Sequence, residues 1–229
     1  MSTVRYDGLA EWYDEEQARI AQRPDAPIEQ FAELAGDGHG VLVDVGCGTG
    51  LSSRELAARG WTVIGVDLSP DQLSIARTRC ESTVLADAHY LPFRTAAIGA
   101  VGMAFVHTDV DAFHEVMREV GRVVAPGGTF TYLGVHPCFV GHHVASPATS
   151  VAELAVVPGY RDAVRVDQSE QFGPGIRARV GARHVPLADF LMAFVAAGLV
   201  LDRVVERGDG IVPWMLGVRA HKPASSGER

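Results

Sequence analysis

The most informative residues form a glycine-rich turn after a short apolar run. Val41-Leu42-Val43-Asp44-Val45 leads into Gly46-Cys47-Gly48-Thr49-Gly50, so three glycines occupy alternate positions. Glycines in a strand-to-helix turn permit tight bends and close approach of a ligand. A dinucleotide-binding turn needs a third glycine at position 51, which is leucine, and no Lys-Ser or Lys-Thr pair of a phosphate-binding turn follows. The turn therefore predicts another ligand, and Asp44 is placed to engage the loop amides or a cationic ligand group.

Two further acids follow apolar runs that predict strands. Asp67 ends the run that begins at Trp61, and Asp87 follows residues 82–86. The carboxyl ends of parallel strands meet at one edge of a sheet, where a carboxylate can hold ribose hydroxyls. We assign that role to Asp67, because Ser69 can already cap the next helix. Asp87 alone is weaker evidence for a ligand contact, since Asp is common at strand ends.

A third group of candidate residues lies in the segment His136-Pro137-Cys138-Phe139-Val140-Gly141-His142-His143. Its three histidines and one cysteine are metal-ligating types. Their spacing matches no structural zinc pattern, however, and no second Cys/His pair follows. We therefore expect no metal, and we expect His136 to line a substrate pocket at the end of the preceding strand.

These residues must be positioned by an alternation of strand and helix patterns. Strands are predicted at 41–45, 61–67, 82–86, 98–105 and 129–135, and helices at 51–59, from Pro70 and at 110–124. The last helix carries apolar residues at steps of three and four, and Pro126-Gly127-Gly128 is expected to end it. Strands joined by helices of this length predict a parallel sheet.

The remaining segments do not follow that alternation. A helix at 187–197 precedes two strand candidates, 199–206 and 211–220, and the turn between them predicts an antiparallel hairpin at the sheet edge. The long excursion at 136–186 is expected to be a lid, since loops of that length are usually functional. We expect one domain, 1–229, with a helical lead-in (5–36), a ligand-binding core (41–135), the lid (136–186), and a C-terminal helix and hairpin (187–220).

Together, these motifs resemble those of class I S-adenosylmethionine (SAM)-dependent methyltransferases. The pattern is most similar to the small-molecule enzymes of ubiquinone and menaquinone biosynthesis. The quoted motifs are residues 43–50, 65–70, 86–88, 91–93 and 123–128. The resemblance implies a Rossmann-like α/β fold, with a seven-stranded, mostly parallel sheet, an antiparallel last strand and helices on both faces. It also implies SAM as cofactor, S-adenosyl-L-homocysteine (SAH) as product, and O-, N- or C-methylation of a small molecule.

The resemblance assigns roles to individual residues as well. The three glycines would pass under the methionine and ribose parts of SAM, Asp67 would hold both ribose hydroxyls, and Asp87 would bond the adenine amino group. Tyr13 matches a tyrosine that closes over the cofactor, although hydrophobic packing with Trp12 explains it equally well. The cofactor contacts implied in this way are Tyr13, Asp44, Gly46, Cys47, Gly48, Gly50, Asp67, Leu68, Asp87, Ala88 and Phe105.

Methyl transfer from a sulfonium mainly requires alignment of the two reactants. A general base is needed only when the acceptor is protonated at the working pH. His107 follows the fourth predicted strand and is the first candidate for a base or an acceptor-orienting group, with His136 as the second. The alternative for His107 is packing or capping at the next helix.

Composition and net charge limit the classes of partner that the protein is expected to bind. The 229 residues are 47% apolar and 21% charged, and no run approaches the roughly 18 apolar residues of a membrane helix. A net charge of −8 disfavours nucleic acid. Three cysteines without paired spacing and the absence of a signal-peptide pattern indicate the cytoplasm. We expect a small-molecule acceptor, neither nucleic acid nor membrane as a partner, and leave a homodimer open.

Two rival functions remain at this point. An NAD(P)-dependent reductase is disfavoured by Leu51 and by the absence of a Tyr-x-x-x-Lys pair. A SAM-fold protein that binds cofactor without methylating, such as a cyclase or a regulatory module, is not distinguished by any motif. Release of SAH with candidate acceptors would separate these functions.

Overall fold

The computed structural model describes residues 4–23, 25–145, 155–167 and 175–224. The strands are β1 (Val41–Val45), β2 (Thr62–Asp67), β3 (Ser82–Leu85), β4 (Ile98–Ala104), β5 (Val124–Val135), β6 (Val144–Ala145), β7 (Ala155–Val156), β8 (Arg165–Val166), β9 (Ala182–Arg183), β10 (Val200–Arg207) and β11 (Met215–His221). The helices are α1 (Ala10–Ile20), α2 (Pro27–Ala35), α3 (Leu51–Ala58), α4 (Pro70–Ala76), α5 (Phe113–Val123), α6 (Ile176–Val180) and α7 (Leu187–Ala196), with a 3₁₀ turn at Val106–Thr108.

Seven strands form one sheet in the order β10-β11-β5-β4-β1-β2-β3. Strands β1 to β5 run parallel to one another, and β11 pairs antiparallel with both β5 and β10. The predicted seven-stranded, mostly parallel sheet with an antiparallel last strand is confirmed. β1 lies between β2 and β4, so the chain reverses its direction of travel across the sheet beside β1.

Helices cover both faces of the sheet because its central strands are apolar on both sides. Alternate residues of a strand point to opposite faces. On one face, Phe31 of α2 and Leu56 of α3 pack with Leu42 of β1. On the other, α5 and α7 pack on Val43, with Val116 and Phe190 fully buried. These layers hold the carboxyl ends of the strands in fixed positions.

The beginning of β5 differs from the prediction. α5 ends at Val123 and β5 begins directly at Val124, so Pro126-Gly127-Gly128 lies inside the strand span. The pairing with β4 shifts there, since Ile98 is opposite Val124 and Ala100 is opposite Thr129. The Gly127 amide instead donates to the Lys222 carbonyl at 2.8 Å. The two glycines thus lie in a bulge at the start of β5, directly after α5, and do not form a separate turn.

The C-terminal hairpin also has a longer connection than expected. β11 begins at Met215, not at residue 211, so residues 208–214 join the two strands. Pro213 has no N–H for a sheet ladder. Trp214 turns inward, and its indole Nε1 donates to Asp25 at 2.7 Å. A long-range contact therefore decides where β11 starts.

The excursion at 136–186 contains small elements in its described parts. β6 pairs with β7, and β8 pairs with β9, both antiparallel. Residues 146–154 and 168–174, which the lid prediction also covers, lie outside the described residues. The domain limits and the lid remain predictions. In the part of the chain that the structure describes, helices fall short of the length and apolarity that a membrane crossing requires.

Candidate active site

A cavity of about 440 Å³ opens over the carboxyl ends of the parallel strands. Its walls include the residues that follow β1, β2, β3 and β4, together with parts of α1 and the N-terminal segment. This is the point where the strand order reverses, and open α/β sheets bind ligands in the crevice at such a point. The cavity is therefore the candidate active site.

The glycine turn forms the floor of this cavity. Gly46 has φ +71° and Gly48 has φ +54°, a backbone region that side chains other than glycine adopt at a cost. A Cβ on Gly46 would collide with the Val106 side chain, and a Cβ on Gly48 would touch the Tyr13 ring at 3.4 Å. The amides of Gly46 and Cys47 donate to the Val66 carbonyl at 2.7 and 3.0 Å, which ties the turn to β2. The positive φ angles at both positions, and the Val106 side chain at Gly46, favour glycine here.

Asp67 lies at the end of β2 with its carboxylate on the cavity wall. Its two oxygens each accept one backbone hydrogen bond at 2.9 Å, from Gly48 and from Ser69. Burial raises the pKa of this carboxyl. Each carboxylate oxygen can accept further bonds, so two adjacent ligand hydroxyls could be held. Leu68 lines the cavity beside it.

Asp87 and Ala88 line the cavity after β3, as the prediction required of adenine contacts. Asp87 Oδ1 accepts the His89 amide at 3.0 Å and lies 2.6 Å from His89 Nδ1. His89 also lines the cavity, although no sequence motif marks it. Its position two residues after Asp87 is the only local signal for this pair.

Gln72, in the first turn of α4, is the clearest residue that the motifs did not reveal. Its side chain is 1% exposed and lines the cavity, with Oε1 3.6 Å from the Cβ position of Gly48. Neither amide atom has a hydrogen-bond partner among the described residues. A buried amide without partners is costly, so a polar ligand group beside the glycine turn would satisfy it.

The N-terminal segment covers the cavity. Tyr13 of α1 lies over the glycine turn, packs edge-on against Tyr6 at 5.2 Å, and accepts a hydrogen bond from Gln17 at 2.8 Å. Burial raises the pKa of Tyr13, so its hydroxyl stays protonated at neutral pH. Asp109 accepts from Tyr6 at 3.2 Å and from Arg177 at 2.7 Å. Both Asp109 and Arg177 were missed, because only the fold brings α6 to the end of β4.

Phe105 begins the link after β4 and lines the cavity. It is a non-glycine residue with φ +61°, and its ring stacks on Trp214 at 6.2 Å between centroids. Backbone strain of this kind often marks a functional site. The pair forms an apolar wall on the side of the cavity away from Asp67 and Asp87.

Three predicted cofactor contacts lie behind the cavity wall. Asp44 is fully buried and accepts from Ser52 at 2.9 Å and Ser53 at 2.7 Å, and burial raises its pKa to about 6. The expected bonds from the loop amides are not made, because the carboxylate points into the first turn of α3. Cys47 is buried against α4, and Gly50 caps α3. Their cofactor roles remain predictions that these positions do not favour.

His107 lies in the core rather than on the cavity wall. Its side chain is 2% exposed, bonds to the Tyr132 hydroxyl, and packs against Phe113 and Phe190. Burial lowers its pKa to about 3. A base that is hydrogen-bonded inside an aromatic cluster cannot reach an acceptor in the cavity. The placement therefore favours the packing alternative, and the catalytic role stays a prediction.

His136 likewise has both ring nitrogens in use. Nδ1 accepts the Cys138 amide at 3.1 Å, and Nε2 lies 2.9 Å from Glu206. The ring is 3% exposed and does not line the cavity. His142 and His143 pack with His184 in the described part of the excursion. Among the described residues, no group of three or more His, Cys, Asp or Glu side chains is arranged to hold a metal.

The cavity fits SAM in three respects. The glycine floor admits a ligand close to the backbone, and Asp67 can hold a diol. Beside the floor, Gln72 offers an amide that bonds to nothing else in the described ranges. Its apolar wall at Phe105 lies beyond β1, where the reactive end of a cofactor anchored at β2 and β3 would point. Each of these observations is independent of the others.

Comparisons with known proteins agree with this fit. Residues 43–132 match a methyltransferase-domain family model. The chain is 37% identical over 91 residues to a demethylmenaquinone methyltransferase of Tropheryma whipplei, an overlap covering 38% of each chain. It is 35% identical over 145 residues to the methyltransferase GfsG of Streptomyces halstedii, covering 58% of this chain and 51% of that one. The chain thus spans about half or less of the length of these relatives.

A solved structure extends the similarity to nearly the whole fold. A SAM-dependent methyltransferase of Mesorhizobium loti superimposes with a TM-score of 0.66 at 20% identity, covering 88% of this chain and 99% of that one. At this identity the match concerns the fold. The chain therefore shares its fold with this SAM-dependent methyltransferase, and residues 43–132 match the methyltransferase-domain model.

Proposed function

We propose that this protein transfers the methyl group of SAM to a small-molecule acceptor. The observation that carries the proposal is the buried Gln72 amide beside the glycine floor, which has no hydrogen-bond partner among the described residues and lines the same cavity as the Asp67 carboxylate. Burying an amide that makes no hydrogen bond costs free energy, and a turn that bound no ligand would gain nothing in return. A polar ligand extended across β1 to β3 explains both residues.

In this function the chain's residues bind and align. Asp67 would hold the ribose diol, Asp87 and Ala88 would face the adenine, and Gln72 would bond the polar groups near the glycine floor. Tyr13 would close over the cofactor and exclude water. Bound SAM supplies a methyl group on a positively charged sulfur, a good leaving group. Most of the protein's task is then to position the acceptor in line with it.

The acceptor would occupy the side of the cavity lined by Phe105, Val135 and Trp214. An apolar wall there removes water from the reacting atoms, which strengthens electrostatic attraction between the sulfonium and the acceptor lone pair. The location of His107 inside the core supports an acceptor that is already nucleophilic at neutral pH, and His107 as a general base is the less favoured form of the proposal.

SAH binding by the purified protein tests the proposal, with Asp67→Ala as the variant. The substitution removes an acceptor of charge-assisted bonds, each worth about 1.5–3 kcal/mol. We expect the calorimetric affinity for SAH to fall at least about tenfold. Asp202→Ala is the matched control, because Asp202 lies on the distant edge strand β10, where it pairs with His221 of β11.

The results also separate the rival functions. NAD or NADP binding in place of SAH would contradict the proposal. Unchanged SAH affinity in Asp67→Ala would remove the ribose assignment. SAH binding without SAH release from SAM, across a panel of phenols, amines, thiols and enols, would favour a cofactor-binding protein that does not methylate.

We also propose a cytoplasmic protein whose acceptor is neither a nucleic acid nor a membrane component. The net charge of −8 supports this. Sedimentation of the purified protein distinguishes a monomer from the homodimer that the sequence leaves open.

A further inference from the structure

Two of the three cysteines meet behind the glycine floor. Cys47 belongs to the turn and is buried, and Cys80 follows α4 and is half-buried. A Cβ on Gly65 would lie 2.8 Å from Cys47 Sγ and 2.9 Å from Cys80 Sγ. The two sulfurs therefore share the space that any side chain at position 65 would fill. Gly65 in β2 is what allows this close approach.

The two thiols differ in reactivity. The neighbouring Cys47 thiol lowers the pKa of Cys80 to about 7, and the nearness of Cys80 together with burial raises the pKa of Cys47. At neutral pH a large share of Cys80 is thiolate, the form that attacks oxidants. Its partial exposure admits a small reagent. Cys47, which solvent cannot reach directly, is placed to react next.

We propose that Cys47 and Cys80 are an oxidative modification site, at which a hydroperoxide converts them to a reversible disulfide that weakens SAM binding. The proposal concerns residues outside the cavity. Only its consequence for the cofactor rests on the proposed function, because the cross-link itself can be detected without any ligand.

The chemistry balances with hydrogen peroxide as oxidant. The Cys80 sulfur attacks one peroxide oxygen, so an S–O bond forms, the O–O bond breaks, and the departing hydroxide takes a proton to become water. The Cys47 sulfur then attacks the sulfenic sulfur, forming the S–S bond and expelling a second hydroxide, which takes the Cys47 proton. Two thiols and one peroxide yield one disulfide and two waters.

The consequence for binding follows from the place of Cys47 in the turn. Its amide and that of Gly46 are held by the Val66 carbonyl, and the next amide, of Gly48, bonds Asp67 Oδ2 at 2.9 Å. A disulfide requires the two sulfurs to come to about 2.05 Å, so the Cys47 side chain must move toward α4. That movement pulls on the floor and on the hydrogen bond that orients Asp67.

The test treats the 229-residue protein with hydrogen peroxide and then measures two quantities. Peptide mapping without reductant should find the peptides containing Cys47 and Cys80 joined, and dithiothreitol should separate them. Calorimetry should show SAH affinity reduced at least about tenfold after oxidation and restored after reduction.

Two variants complete the design. Cys80→Ala should bind SAH like the untreated wild type, both before and after peroxide, since it cannot form the cross-link. Cys138→Ala, which removes the other partly exposed thiol, should respond to peroxide like the wild type. Absence of the linked peptide, or a linked protein with unchanged SAH affinity, overturns the proposal. If even the reduced protein fails to bind SAH, the proposed function fails, whereas the peptide map still decides the disulfide.

Discussion

Three aspartates at the ends of neighbouring strands differ sharply in what they can do. Asp67 and Asp87 reach the cavity, whereas Asp44 turns away into α3 and bonds two serine hydroxyls. Similarly, His89 lines the cavity beside Asp87, whereas His107 lies among aromatic rings. The residue type says which chemistry an Asp or His could perform. The direction of its side chain decides whether it faces the cavity or the core.

The first prediction at the residue scale concerns His107 and pH. Its pKa falls from 6.5 to about 3 on folding, through burial. Between those values the unfolded chain binds more protons than the folded one, so stability falls as pH drops below 6.5. At pH 4.5 the loss is about 2–3 kcal/mol relative to pH 7. His107→Asn, which keeps a hydrogen-bonding partner for Tyr132 but does not titrate there, should lack this part of the loss.

Urea unfolding of wild type and variant at several pH values measures it. Only the difference between the curves counts, because burial lowers the pKa of His143 and His184 as well. Parallel curves would contradict a buried neutral His107. The same variant tests catalysis: a fall in turnover of about 10²–10⁴ at intact SAH affinity would restore His107 as the base.

At the scale of elements, the insertion after β5 is tied to the site by α6. Arg177 of this helix donates to Asp109, the same carboxylate that accepts from Tyr6 of the N-terminal segment. Two covering segments thus meet on one side chain just after β4. This ion pair gives the predicted lid a specific attachment, and each of its two side chains is about a fifth exposed.

Loosening this attachment should make the insertion easier to cleave. Arg177→Met and Asp109→Asn each remove the ion pair, and local opening should become about tenfold more frequent. Limited thermolysin digestion within 136–186 should therefore speed up by about that factor, and SAH should slow it in the wild type. Arg161→Met, an exposed arginine of the same insertion, is the matched control. Equal cleavage of all four proteins would argue against an Arg177 latch.

At the scale of the whole molecule, the cavity exists because the strand order reverses at β1. Segments far apart in the chain meet there, including α1, the glycine floor, α4, α6 and the β10–β11 connection. The Trp214–Asp25 hydrogen bond joins the last hairpin to the link between α1 and α2. Ligand binding should therefore raise the free energy of unfolding of the entire fold.

Gln72 provides a test of that coupling. Saturating SAH, at about 100 times its dissociation constant, should stabilise the protein by about 2.7 kcal/mol, or roughly 5–10 °C in melting temperature. Gln72→Leu should be at least as stable as wild type without ligand, because it removes buried polar atoms that make no hydrogen bond within the described part of the chain. Its shift with SAH should be clearly smaller. Calorimetric melting measures both effects, and an undiminished shift would show that Gln72 does not contact the cofactor.

The fold class, the strand-to-helix alternation and the glycine-rich turn follow from the sequence alone, and the ligand roles of Asp67 and Asp87 stay predictions. These features depend on local pattern: apolar runs of fixed period, turn residues, and the rule that carboxyl ends of parallel strands share an edge. The resemblance implied the seven-stranded sheet with an antiparallel last strand, the sequence pattern predicted the hairpin, and the structure confirms the sheet.

Only the tertiary structure decided which side chains face the cavity. Nothing local distinguishes the direction of Asp44 from that of Asp67, or predicts that Tyr132 and Phe190 enclose His107. Gln72, Arg177 and Trp214 belong to segments without motifs and reach the site through packing between distant parts of the chain. Such contacts depend on the relative placement of helices and strands, which hydrophobic periodicity constrains by face but not by position along the face.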